Sequence, residues 1–277
     1  MFKLNCLNTK IGASMALLPI KDSNEKISIK FQYITLLIIV LCILIYFWQI
    51  TLGSEQAKYI YSLGTIPTVL FGTRELSSSL VIIPEYLTVF TSLFLHGGWM
   101  HLMSNMLFLW VFGDNVEDSM GHSRFIFFYI ICGILATLTH AIAESNSNLP
   151  LIGASGAISG VLGAYIVLFP RAKILALFMN IIPIRLPALL VIGVWIAIQF
   201  LNVNNDDGTA WWAHVGGFMS GVVLIFLFKR NDLILIKKQN AFIKPSYNIQ
   251  NPNHSKSIFP DTTFTRTDPK DNDTHDE

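Results

Sequence analysis

Six stretches of the chain are long in apolar residues and poor in charge: 31–52, 99–112, 124–143, 155–169, 187–201 and 212–228. The first carries no charge and has Phe47 and Trp48 near its far end. At ~1.5 Å per residue it crosses a hydrocarbon core ~30 Å thick. Pro170 stops the fourth stretch and Lys229-Arg230 the sixth. The second, fourth and sixth are shorter or more polar than a lone membrane anchor tolerates, so they are expected inside a bundle, shielded by the others. The pattern predicts an all-α membrane protein built as a six-helix bundle.

The connecting segments differ. Residues 53–96 mix Glu55, Lys58, Arg74, Glu75 and Glu85 with many apolar positions. A connection this long is uncommon without a role, and it is expected as a long, partly structured first loop on or in the outer interface. Residues 1–30 hold five lysines and a short apolar run, 11–20, broken by Pro19. With no small-residue cleavage site after that run, they are read as an uncleaved cytoplasmic tail, with Met15 as an alternative start. From about Asn240 the chain is polar, and residues 247–277 are expected to be disordered. The domain reading is therefore a tail, 1–30, a six-helix domain, 31–230, and a cytoplasmic C-terminal tail, 231–277.

Orientation follows from the basic residues. The N-terminal lysines, Arg171, Lys173 and Arg185, and Lys229, Arg230, Lys237 and Lys238 fall on one side of a six-span chain. The loops 144–151 and 202–211 carry no Lys or Arg and fall on the other. Both termini are thus expected in the cytoplasm. The loop 114–123 is acidic and is placed on the cytoplasmic side.

Composition agrees. Of 277 residues 52% are hydrophobic and only 13% charged, against about 25% charged in soluble domains. The net charge of +1 says nothing about nucleic acid, and with no basic face interleaved with aromatics no nucleic-acid partner is expected. Cys6, Cys42 and Cys132 match no metal or disulfide spacing.

Chemistry enters through four polar residues. Ser155 lies in Gly153-Ala154-Ser155-Gly156, at the mouth of the fourth span, between residues too small to cover a hydroxyl. His101 and Asn105 are four apart on one face of the second span, and His214 is in the first turn of the sixth. Those three spans enter from the same side, so the four residues share a depth. Polar side chains within spans usually face a cavity or each other. Gly156, Gly160 and Ala164 recur at i, i+4, i+8, and Gly217 and Gly221 lie on the face headed by His214. Such faces let backbones approach closely; if the two meet, Ser155 and His214 are neighbours. A serine hydroxyl needs a base to become a nucleophile. The tetrahedral intermediate of acyl transfer needs donors for its oxyanion, which His101, Asn105 and the Ser155 N–H can supply. Asp206 and Asp207 precede His214 in a polar loop and are expected to be solvated, leaving a Ser–His dyad.

These residues resemble the rhomboid family of intramembrane serine proteases. Phe94-Leu95-His96-Gly97-Gly98-Trp99-Met100-His101 with Asn105 is similar to its H-x-x-x-N segment. Gly113 to Glu117, then Gly121 and Arg124-Phe125, is similar to the turn after its second span. Gly153-Ala154-Ser155-Gly156 and Ala213-His214 with Gly217 and Gly221 are similar to its G-x-S-G and A-H-x-x-G-x-x-x-G motifs. Leu18 to Asp22 is similar to a short basic segment that begins many bacterial members. The resemblance covers about 15–230. It implies Ser155 as nucleophile, His214 as base, and His101, Asn105 and the Ser155 N–H at the oxyanion, with Gly153, Gly156, Gly160, Gly217 and Gly221 in close packing. It also implies a water-filled cavity open to the outside, no metal or cofactor, and membrane-protein substrates cut in or near an unstable transmembrane helix, often after a small residue.

Two features depart from the family pattern. Many members carry an aromatic four residues after the serine, stacked on the base; here Ser159 stands there, so another aromatic or simple packing must hold His214. The Trp-Arg pair of some first loops is not evident. His96 is read as a gating or interfacial residue. His122 and His140 are read as solvated or interfacial, His254 and His275 as tail residues, and Trp195, Trp211 and Trp212 as bundle or belt aromatics. The competing readings are an inactive relative that binds transmembrane segments, and a transporter. The spans hold almost no carboxylate and no repeat, against transport. H-E-x-x-H and paired intramembrane aspartates are absent, against metallo- and aspartyl proteases.

Overall fold

The computed structural model describes residues 17–179, 181–203 and 208–230. Met15, Cys6, Asp206, Asp207, His254, His275 and the expected tail 231–277 lie outside the described residues.

The chain opens with strand β1 (Leu17–Asp22) and enters helix α1 (Tyr33–Thr51). Three short helices follow, α2 (Gln56–Leu63), α3 (Pro67–Leu70) and α4 (Thr88–Thr91). Then come α5 (Trp99–Met120), α6 (His122–Ala143) and α7 (Ser155–Leu168). Strands β2 (Lys173–Phe178) and β3 (Ile182–Pro187) lead to α8 (Ala188–Leu201) and α9 (Trp211–Phe228). The six long helices are the bundle expected from the hydropathy pattern. Large apolar side chains point outward along them, such as Leu44, Phe47, Phe127, Val223 and Leu227, as lipid-facing surfaces require. Helices α1, α6 and α9 are each long and apolar enough to cross a bilayer.

Beside the helices sits a small antiparallel sheet in the order β1-β2-β3. Residues 17–22 are thus packed as a strand rather than running as a tail. The hairpin of β2 and β3 occupies what hydropathy reads as a loop between spans. Its cause is local. Ile174 and Ala176 of β2 alternate inward and are fully buried, a period of two. The outer strands carry the prolines that sheet edges tolerate: Pro183 and Pro187 on β3, and Pro19 on β1, where the pairing with β2 shifts register before Lys21.

The expected loop 114–123 is instead helical up to Met120, and Gly121, at φ +81°, turns the chain directly into α6. Its acidic residues signalled an end because they are polar, yet they point at the backbone of the N-terminal segment. Glu117 accepts Ile34 N–H at 3.0 Å and Thr35 N–H at 2.8 Å, satisfying open donors at the start of α1. Asp118 accepts the N–H groups of Ile27, Ser28 and Ile29 at 2.7–2.9 Å. His122, read as solvated or interfacial, is half-buried and bonds Glu117 at 2.5 Å.

The first loop is tied down at several points. Thr65 and Leu151 exchange backbone hydrogen bonds of 3.1 and 2.8 Å, and Gly153 N–H donates to Ser92 C=O at 2.9 Å. Leu93 fills the notch left by Gly133 on α6.

Helix α7 is the centre. It has 14 residues against 22 in α5 and α6, so at ~1.5 Å per residue it is about 12 Å shorter. Residues 156–165 are all buried. Enclosed by protein, it has no lipid to span, and its short length leaves room over its N-terminus, where Ser155 begins it.

Candidate active site

A cavity of about 1060 Å³ lies over the start of α7, lined by His101, Ser104, Asn105, Ser155 and His214, with residues of 146–152 and 208–212 around its mouth. The structure brings all four sequence-predicted polar residues to this one space.

Ser155 Oγ and His214 Nε2 are 2.9 Å apart, though 59 residues separate them in the chain. The contact depends on how α7 meets α9. A Cβ on Gly217 would overlap the carbonyl oxygen of Gly156, and one on Gly221 would overlap that of Gly160. The helices therefore touch backbone to backbone, as the two glycine faces predicted. The Cβ positions of Gly156 and Gly160 point mainly at a different helix, however. A Cβ there would meet Ala136 at 2.7 Å and the Cys132 Sγ at 2.6 Å, both on α6. The small-residue surface of α7 thus serves two neighbours. Gly163, outside every motif, makes a third such approach, to the carbonyl of Phe218.

Gly153 is not a helix-packing residue. Its φ is +125°, and a Cβ there would lie 2.7 Å from both Cε1 and Nε2 of His101 and 3.8 Å from Ser155 Oγ. Lack of a side chain lets the His101 ring come down beside the serine. Asn105 is buried, and its Nδ2 has no acceptor among the described residues. A buried amide donor left open costs free energy unless something accepts from it.

His96 is fully buried and does not line the cavity. Gln49 holds its backbone at both N–H and C=O, at 3.0 and 3.1 Å. Its ring meets that of His101 edge-on at 5.2 Å, so it backs His101. His140 lines the cavity.

Ser159 is buried and donates to the Ser155 carbonyl at 2.6 Å. The face of His214 is covered instead by Trp195 of α8, with ring centroids 5.8 Å apart, and by Trp211 edge-on at 6.3 Å. Gln199 was missed: its Oε1 lies 2.7 Å from His214 Nδ1. It belongs to no motif. The signal was a lone amide in an otherwise apolar helix, where a buried polar group must find a partner.

These features define a polytopic membrane protein with a serine–histidine pair in a polar well at the end of a short, enclosed helix. A family model described as Rhomboid domain matches residues 84–231. The chain belongs to the rhomboid family. It is 33% identical over 192 residues to Rhomboid protein 1, mitochondrial, of Saccharomyces cerevisiae, covering 61% of this chain and 53% of that one. It is 31% identical over 156 residues to RHOMBOID-like protein 5 of Arabidopsis thaliana, covering 56% and 46%. It is 32% identical over 162 residues to Rhomboid protease GluP of Bacillus subtilis, covering 58% and 29%. The chain thus spans about half, or less, of the length of these curated relatives.

Proposed function

We propose that this protein is an intramembrane serine endopeptidase that cuts transmembrane or juxtamembrane segments of other membrane proteins. The observation carrying the reading is the 2.9 Å contact between Ser155 Oγ and His214 Nε2 inside a cavity within the bundle. Nε2 takes the hydroxyl proton as Oγ adds to the scissile carbonyl carbon. The oxyanion is placed between the His101 ring, Asn105 Nδ2 and the Ser155 N–H. Collapse breaks the C–N bond, and Nε2 returns its proton to the leaving amine. Water then attacks the acyl-serine, giving a proton to Nε2 and, on collapse, regenerating the hydroxyl and the new carboxyl end. The steps need no cofactor.

A helical peptide bond has its carbonyl engaged in the helix ladder, so the cut segment must unwind. That favours substrates whose transmembrane helix is already unstable. Lys21, Lys173 and Arg185 lie on the sheet strands, Arg171 leads into β2, Lys26 pairs with Asp114 of α5, and Lys229 and Arg230 end α9, where Arg230 N–H donates to Ser119 C=O. We infer that the sheet end of the bundle, with both termini, faces the cytoplasm, and that the cavity opens to the outside of a prokaryotic plasma membrane. We also count residues 17–29 with the domain, because 17–22 pair with β2 and the N–H groups of 27–29 donate to Asp118 of α5.

The test is cleavage of a single-pass reporter with a glycine- and alanine-rich span, co-reconstituted in liposomes. Cleavage by the native chain and none by Ser155→Ala supports the reading. Equal cleavage by both would overturn it. Reporter binding without cleavage would leave a binding protein in its place.

A further inference from the structure

Gln199 of α8 lies behind the base, against the His214 nitrogen that does not face Ser155. Its side chain is 1% exposed and is the only amide in α8. Its Nε2 lies 3.1 Å from the backbone carbonyl of Trp195, one turn back, and its Oε1 lies 2.7 Å from His214 Nδ1. On its other side the His214 ring meets Ser155 through Nε2 at 2.9 Å.

A carbonyl oxygen only accepts, so the group facing Trp195 C=O must be the NH₂ end of the amide. A flipped amide would set two oxygens against each other at that distance. The orientation places Oε1, another pure acceptor, against Nδ1, and Nδ1 must then carry the proton. A neutral imidazole holds one proton, so Nε2 has a free lone pair aimed at the Ser155 hydroxyl. One assignment satisfies all three contacts: Trp195 C=O accepts from Gln199, Gln199 from His214, and His214 from Ser155. We propose that Gln199 is the positioning residue that fixes the tautomer and ring angle of His214, the part a buried carboxylate plays in serine triads. The proposal rests on the Ser155–His214 reading above.

A neutral amide suits this location. A carboxylate enclosed by α8 and α9 would have to be desolvated with its charge, whereas an amide bonded at both ends leaves no polar atom unmet. When Nε2 takes the serine proton, the Nδ1–H···Oε1 bond stays and strengthens, because its donor now carries charge. Trp195 enters twice: its carbonyl orients the amide, and its ring packs on the imidazole that the amide holds.

The experiment uses the full chain in detergent, with ¹⁵N-labelled histidine and a fluorophosphonate probe. The His214 signals are assigned by their loss in His214→Ala. The expected result is a protonated Nδ1 and a bare Nε2 in the native chain. In Gln199→Leu the tautomers mix, and labelling of Ser155 slows about 10- to 100-fold, short of the ~10²–10⁴ that a positioned base supplies outright. Gln199→Glu keeps an acceptor at Nδ1 and labels far faster than Gln199→Leu, both read on the pH plateau. A native His214 protonated at Nε2 overturns the proposal, as does a folded Gln199→Leu that labels at the native rate. If Gln199→Leu does not fold, the tautomer of the native chain decides alone. A probe that labels Ser155→Ala as well as the native chain counts against the Ser155–His214 reading instead, and the tautomer still reports on Gln199.

Discussion

Gly217 lies directly against the carbonyl oxygen of Gly156, one turn from the contact between Ser155 and His214. The obstacle is backbone, so no side chain can rotate aside. Gly217→Ala must therefore push α9 away from α7. A loss of about 1–3 kcal/mol or more is expected from such overpacking, and reaction with a fluorophosphonate should fall further than the folded fraction does. Gly193 on α8 is the control: nothing stands within 4 Å of a Cβ there, and Gly193→Ala should hold or raise stability by roughly 0.5–1 kcal/mol. Thermal melts in detergent, alongside labelling, compare the two.

Gly153→Ala separates positioning from packing. The residue is outside the helix, at a φ of +125°, and its missing side chain is what admits the His101 ring. Backbone strain of about 1–3 kcal/mol is expected, together with displacement of His101. The bundle should still melt cooperatively while serine labelling drops. Native labelling by Gly153→Ala would show that the His101 position does not matter to the serine.

Asn105 brings an open donor to the wall of the cavity. Asn105→Ala is expected to slow reporter cleavage by ~10²–10³, the usual loss for one oxyanion donor, with the melting temperature nearly unchanged. An unaltered rate would remove Asn105 from the oxyanion site.

Much of this site was legible because a membrane restricts where polar residues can go. His101, Asn105, Ser155 and His214 stood out as polar groups near the same ends of apolar spans, and Gly217 and Gly221 pointed to the helix contact. What escaped was polarity directed at backbone. Glu117 and Asp118 read as a loop because nothing in the sequence says that they cap α1 and hold 27–29. The sheet escaped because a six-residue alternation such as Ile174 and Ala176 is too short to stand out between hydrophobic spans. His140 reads as solvated or interfacial, and its place in the cavity wall follows only once the lengths of the neighbouring helices are known.

The sheet end gives a pH prediction. Asp22 Oδ2 accepts from Tyr165 Oη and Asn115 Nδ2, each at 2.7 Å. Burial lifts its carboxyl above the ordinary 3.8, against the opposing pull of Tyr165 and Asn24. The folded chain holds this proton more tightly than the unfolded one. The contribution to stability is therefore complete below pH 3.8 and is lost as pH rises through the raised value. Asp22→Asn keeps an oxygen for both donors and does not ionise. Its melting temperature should change less than that of the native chain across that interval, and the difference between the two curves is the measurement. Parallel curves would mean that Asp22 ionises alike in both states.

The central claim is that His214 makes Ser155 a nucleophile, and fluorophosphonate labelling with the modified residue located by mass spectrometry tests it most directly. The account predicts one adduct on Ser155 in the native chain, and none in Ser155→Ala or in folded His214→Ala. An adduct on another serine, or undiminished labelling of Ser155 without His214, would contradict it.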